Sequence, residues 1–143
     1  MRDSSAPLTR PSPIANSQSP NKEHMNNSYK KLDVYAKSRQ LVVTVYSLLK
    51  HFPAEEKYAL GDQMRRAVIS VPSNIAEGSG RTSAKDQAHF FEMAFGSLME
   101  VNCQMDIACD LGYINQTELL KVEEQVSRIA AMLSGLRRKC LAR

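Results

Sequence analysis

Tryptophan is absent from this chain of 143 residues, and aromatic residues together make up 6% of it. So thin an aromatic content disfavours a β sandwich or barrel, whose inner faces are filled by aromatic and β-branched side chains. Cysteine is equally sparse. Cys103, Cys109 and Cys140 are odd in number and show no Cys-x-x-Cys spacing, which predicts reduced thiols rather than a disulfide framework. No apolar run reaches the roughly 18 residues of a membrane span, and the N-terminus lacks the apolar core of a signal peptide. The cytoplasm is the expected location. A strong charge of one sign is missing too: the net charge is +4, and the first thirty-one residues hold five Lys/Arg against Asp3 and Glu23, leaving +1 for the remainder. The total alone is poor evidence for nucleic-acid binding.

Chemistry-bearing patterns are also scarce. Gly78-Ser79-Gly80 has neither the preceding strand nor the Lys-Ser/Thr of a phosphate loop. Ser70, Ser73, Ser79 and Ser97 have no histidine at a recognisable spacing to act as base. His24 lies near the N-terminus and His51 at the end of a helix, where a cation suits the dipole. Asp86-x-x-His89 is the one ligand-like spacing. Bundles that hold two irons use two such units plus inward carboxylates from the other helices, and here Glu92 is the only helper. A metal-binding or metal-dependent bundle built on Asp86 and His89 is therefore the alternative, and a solvated face is the favoured reading. No cofactor and no catalytic residue is expected. The chain reads as a non-enzyme.

What is present is helical periodicity. Residues 1–30 are rich in Ser, Pro and Asn, with Pro7, Pro11, Pro13 and Pro20. They are predicted to be a disordered tail, because they bury too little to offset the entropy of ordering. Residues 31–143 are predicted to be one bundle domain. A first helix is expected over about 31–51, with Tyr35, Val42, Val45 and Leu49 as its stripe, broadened by Leu41, Leu48 and Phe52. A second is expected from Pro53-Ala54 to Glu77, with Leu60, Met64, Ala67 and Val71 on one face and a kink or break at Pro72. Beyond Pro72, Asn74 and Gly78 share that face. A buried amide needs partners, so Asn74 and Glu77 are predicted to be structural polar keys, with Arg65, Arg66 or Arg81 as candidate partners. The third helix opens at Ser83, with Asp86 placed as in a capping box. Phe91, Ala94, Leu98, Val101, Met105 and Ala108 follow, and Gly112 closes it. The fourth opens at Asn115 with Glu118 three residues on, and carries an unbroken stripe of Leu119, Val122, Val126, Ile129, Leu133, Leu136 and Cys140. Four such helices on short connections predict an all-α, left-handed, up-down-up-down four-helix bundle. Val43, Phe90, Phe95 and Met99 stand off the main stripes, and leftover apolar surface is how an oligomer shows itself.

The run from Gln63-Met64-Arg65-Arg66-Ala67 through Ser70-Val71-Pro72-Ser73-Asn74-Ile75-Ala76-Glu77-Gly78 resembles the signature of the bacterial four-helix-bundle proteins, also called the 23S rRNA intervening-sequence-encoded proteins. The similarity continues through Phe95-Gly96-Ser97-Leu98-Met99-Glu100 and Leu111-Gly112-Tyr113, and spans roughly Leu32 to Leu136. Where many members carry Glu-Thr-Gln, this chain has Asn102-Cys103-Gln104. The resemblance implies a cytosolic, non-enzymatic protein that assembles as a ring-like pentamer. Relatives include an accessory protein that works with the reverse transcriptase of diversity-generating retroelements, so a reverse transcriptase-like protein is an implied kind of partner.

Charge is segregated along the chain. The third helix, from Lys85 to Asp110, holds five acids against one base; from Arg128 to Arg143 there are five bases and no acid. Part of this complements helix dipoles. The sharper reading is a phosphate-binding patch for RNA or DNA formed by Arg137, Arg138, Lys139 and Arg143, joined by Arg65, Arg66 and Arg81. No aromatics interleave with these cations, so base stacking is not expected. The function that follows is a self-assembling, non-catalytic scaffold or adaptor, with nucleic acid or a nucleic-acid enzyme as the candidate partner.

Overall fold

The computed structural model describes residues 29–143. Four helices account for most of them: α1 Asp33–Leu49, α2 Leu60–Ser79, α3 Ala84–Asp110 and α4 Gln116–Leu141. Single 3-10 turns, Tyr29–Lys31 and Ala54–Glu56, precede α1 and α2, and no strand occurs among the described residues. Each helix packs on its neighbours in sequence, most extensively α2 on α3, and α1 closes on α4. This is an all-α, up-down-up-down four-helix bundle.

The helices form where local signals and burial agree. The Ser83 hydroxyl accepts the Asp86 N–H at 3.0 Å, capping α3. Asn115 and Glu118 exchange both bonds of a capping box, at 2.8 and 2.9 Å, at the start of α4. Gly112, at φ 79, ends α3. The Gly112 and Tyr113 N–H groups bond back to the carbonyls of Cys109 and Ala108 at 3.0 and 2.9 Å, the pairing of a Schellman motif. The predicted stripe of α3 is buried throughout. That of α4 is too, except that Leu136 is half-buried.

The start of the second helix and the break allowed at Pro72 differ from the sequence reading. Residues 1–28 lie outside the described residues, so the tail expectation meets the structure only at Tyr29 and Lys30. These stand in a turn, with the Tyr29 ring edge-on to Tyr35 at 4.9 Å. The second helix starts at Leu60, not Ala54. Residues 54–59 bury no side chain, Tyr58 being 79% exposed, so no core face holds them in α-helix. Conversely, α2 runs unbroken through Pro72. The proline withholds a donor from the Val68 carbonyl. Met64, Ala67, Val68 and Val71 before it and Ile75 after it are nevertheless buried on one side, and breaking the helix would expose one half of that stripe. In α1 the buried line is Val34, Ser38, Leu41, Val45 and Leu49; Tyr35 and Val42 flank it half-buried.

At Gly78 α2 and α3 approach closely. A Cβ built there would stand 2.9 Å from Phe90 Cβ and 3.3 Å from the Gln87 carbonyl oxygen. Only glycine lets the helices cross at this separation.

Candidate functional site

Alternation of helix direction sorts the charged residues by height. One end of the bundle gathers the start of α1, the end of α2, the start of α3 and the end of α4. Contacts confirm the grouping: Gln87 Nε2 donates to the Arg81 carbonyl at 2.9 Å, and the Arg143 guanidinium donates to Gln87 Oε1. Arg81, Arg137, Arg138, Lys139 and Arg143 all lie at this end. Arg65 and Arg66 do not. Arg66 is about 20 Å from Arg81 along the axis, at about 1.5 Å per residue. The seven cations therefore do not form one patch.

Several of them are already engaged. Arg81 pairs with Glu77 at 2.8 Å, and its guanidinium lies 4.5 Å from the Phe90 ring centre. Arg137 Nη2 is 3.8 Å from Glu92 Oε1 while its buried Nε has no partner. Arg65 pairs with Asp62 at 3.0 Å, donates to the Lys57 carbonyl and lies over Tyr46; it pins the loop before α2. Among the described residues, Arg138, Lys139 and Arg143 have no carboxylate in ion-pair reach. They border two openings at this end. One, about 630 Å³, lies between α1 and α4 and is lined by Leu32, Asp33, Val34, Met132, Gly135 and Leu136 with Arg138 and Lys139 on its rim. The other, about 530 Å³, opens onto Phe91, Leu136 and Cys140 beside Lys139 and Arg143.

The polar keys divide as well. Asn74 Nδ2 donates to the Ser70 carbonyl at 2.9 Å and to Ser70 Oγ at 3.0 Å, and Ser70 Oγ lies 2.8 Å from Ser97 Oγ on α3. Asn74 therefore supports the α2–α3 seam through a pair of serines, without an arginine. Ser97 was legible only as an isolated serine, because nothing in the sequence placed it opposite Ser70. Glu77 is not inside the bundle: its side chain is 54% exposed, and its partner is Arg81 one turn on.

The leftover apolar residues also separate. Phe95 packs half-buried against the core, and Phe90 lies beneath the Arg81 guanidinium beside Gly78. Val43 (69% exposed), Leu120 (58%), Met93, Met99 and Ile107 stand on the outside. The α3 residues among them are interspersed with the exposed carboxylates Glu92, Glu100, Asp106 and Asp110.

Asp86 and His89 are both exposed, and Glu92 turns toward Arg137. Among the described residues no three His, Cys, Asp or Glu side chains come together as metal ligands would. Cys103 is exposed, Cys109 half-buried and Cys140 buried, all as free thiols. No helix is long and apolar enough to cross a membrane, among the described residues.

Residues 30–135 match the model of the family described as 23S rRNA-intervening sequence protein. A crystal structure of a protein of unknown function from the S23 ribosomal protein family of Bacteroides thetaiotaomicron VPI-5482 superposes with a TM-score of 0.68. It is 21% identical and covers 73% of this chain and 95% of its own, a likeness of fold. No curated protein matches the chain.

Proposed function

The chain belongs to the 23S rRNA-intervening sequence protein family, and from that premise we propose that it is a non-catalytic scaffold whose bundles assemble with one another, in a ring of five. One observation carries the reading: each helix already buries a core line within the chain, yet Val43, Leu120, Met93, Met99 and Ile107 remain on the outside. Apolar surface on several outer faces of a closed bundle has no further use inside it. The number five comes from the resemblance to pentameric relatives. Native mass measurement at micromolar concentration should return five copies, and a monomer there overturns the assembly. Elemental analysis checks the non-catalytic part, since stoichiometric metal lost on replacing Asp86 and His89 would favour the metal-bundle alternative.

A second reading is favoured by the gathering of Arg81, Arg137, Arg138, Lys139 and Arg143 at one end. That end would hold RNA or DNA through phosphates, weakly and without sequence preference. Each neutralised phosphate contributes to the salt dependence, so removing Arg137 and Arg143 should flatten the salt slope for structured RNA by about two phosphates' worth. Equal slopes for wild type and variant remove this reading and leave a protein-binding adaptor.

A further inference from the structure

Two outer surfaces of the bundle are complementary in charge, apolar content and backbone access. The first is the outward face of α3. Gly96, Met99 and Cys103, at helical spacings of three and four, run along it with Glu100 to one side and Asp106 to the other, all exposed. The second is the α1–α4 seam. It holds the 630 Å³ groove, with Arg138 and Lys139 on its rim and Asp33 at the α1 side, and, further along, a smaller opening lined by Val43, Leu48, Glu118 and Lys121.

The glycines point to a close partner. Gly78 is used within the chain, filled against by Phe90 and Phe91. Gly96 is not: a Cβ there would meet nothing within 4 Å. Gly135 lines the seam groove, and a Cβ there would meet only an Arg138 nitrogen at 3.9 Å. Each costs its helix roughly 0.5–1 kcal/mol relative to alanine, with no gain in the fold to offset it. Both lie on the surfaces described, one on each.

We propose that the outer face of α3 in one copy docks into the α1–α4 seam of the next, with Gly96 approaching the groove at Gly135 and with Glu100 and Asp106 meeting Arg138 and Lys139. This inference rests on the self-assembly reading and names its interface. Charge decides between this arrangement and a two-fold one. An α3–α3 contact would set Glu100 and Asp106 against their own copies, and a contact joining two Arg138–Lys139 rims would set bases against bases, each of which is repulsive. Opposite patches on different parts of one surface make a head-to-tail contact, the kind that closes into rings. Arg138 and Lys139 then face a neighbour's carboxylates, leaving Arg81, Arg137 and Arg143 as the phosphate contacts of the basic end.

Charge exchange tests the contact. Sedimentation velocity at micromolar concentration would compare wild type with Arg138→Glu/Lys139→Glu, with Glu100→Lys/Asp106→Lys, and with the chain carrying all four changes. All four sites are exposed, and circular dichroism checks that each variant remains helical. Each pair alone should yield monomer, and the fourfold chain, with both signs exchanged, should assemble again. Gly96→Gln should also yield monomer, with a thermal midpoint at least equal to that of wild type when both are compared at a dilution where wild type is monomeric. An assembled wild type whose size neither charge pair changes, or a fourfold chain that stays monomeric, overturns this contact and leaves self-assembly standing. A monomeric wild type overturns self-assembly itself, and this inference with it.

Discussion

Replacing Gly78 by alanine sets two effects against each other. Inside a helix the change gains roughly 0.5–1 kcal/mol, because glycine loses more backbone freedom on folding. Against that gain, the new methyl would stand 2.9 Å from Phe90 Cβ, 3.1 Å from Phe91 Cε1 and 3.3 Å from the Gln87 carbonyl oxygen. Two of these atoms are fixed to the α3 backbone and cannot swing aside. Relief requires α2 and α3 to part along the most extensive seam of the bundle. Overpacking of this kind costs about 1–3 kcal/mol, so the expected net loss is about 1–2 kcal/mol, or about 4 °C of thermal midpoint per kcal/mol in a domain of this size. Gly96→Ala supplies the control. With nothing within 4 Å of its Cβ, only the gain of about 0.5–1 kcal/mol should remain. Urea unfolding followed by circular dichroism, at a dilution where the chain sediments as monomer, removes any contribution from assembly. Gly78→Ala equal to or more stable than wild type, or shifts of the same sign at both glycines, would refute the reasoning.

Three further outcomes are expected. The Tyr113 hydroxyl donates to Glu56 Oε2 at 2.8 Å. That bond, burial and the charges of Glu56 and Glu55 hold its pKa above 10.0. A raised folded value gives stability that is full below pH about 10 and falls as pH rises through the folded pKa; Tyr113→Phe should flatten this alkaline limb in pH-dependent unfolding, and an unchanged limb counts against the bond. Asn115→Ala removes the capping box of α4 and should cost about 1 kcal/mol in denaturant unfolding. A double-mutant cycle between Glu77 and Arg81 should give a coupling of only about 0.3–0.5 kcal/mol, since the pair is exposed, while Glu77 with Arg65 or Arg66 should be additive; strong coupling to either of the latter would contradict the geometry.

The fold was legible because two independent signals agreed over long stretches. In α3 and α4 the capping residues, the 3-4 apolar spacing and the closing glycine all specify the same helices, and the structure keeps those bounds within a residue or two. Agreement failed where one signal stood alone. Pro53 and the acids after it resemble a helix start, but residues 54–59 offer no apolar face, and the α-helix waits for Leu60. Pro72 is a strong local breaker, yet buried residues on both sides of it outweigh its missing bond. The polar keys were half legible. Asn74 is tied down as a semi-buried amide requires, but its link to Ser97 depends on the register of α3 against α2, which no single helix encodes.

The cation set shows a different kind of limit. Charge counted along the sequence joined Arg65 and Arg66 to the C-terminal bases, although alternating helix direction already fixes heights: the start of α2 is opposite the end of α4. Residue number converted to height separates Arg65 and Arg66 from the other five on sequence alone. Periodicity answers a radial question, which side of a helix faces inward, and here it answers it well. It does not say whether inward or outward space is occupied. Gly78 and Gly96 are each a glycine inside a long helix, indistinguishable by pattern. One is filled to contact by α3 and the other faces open space, and that asymmetry separates a glycine that serves the fold from one that can serve contact with another copy.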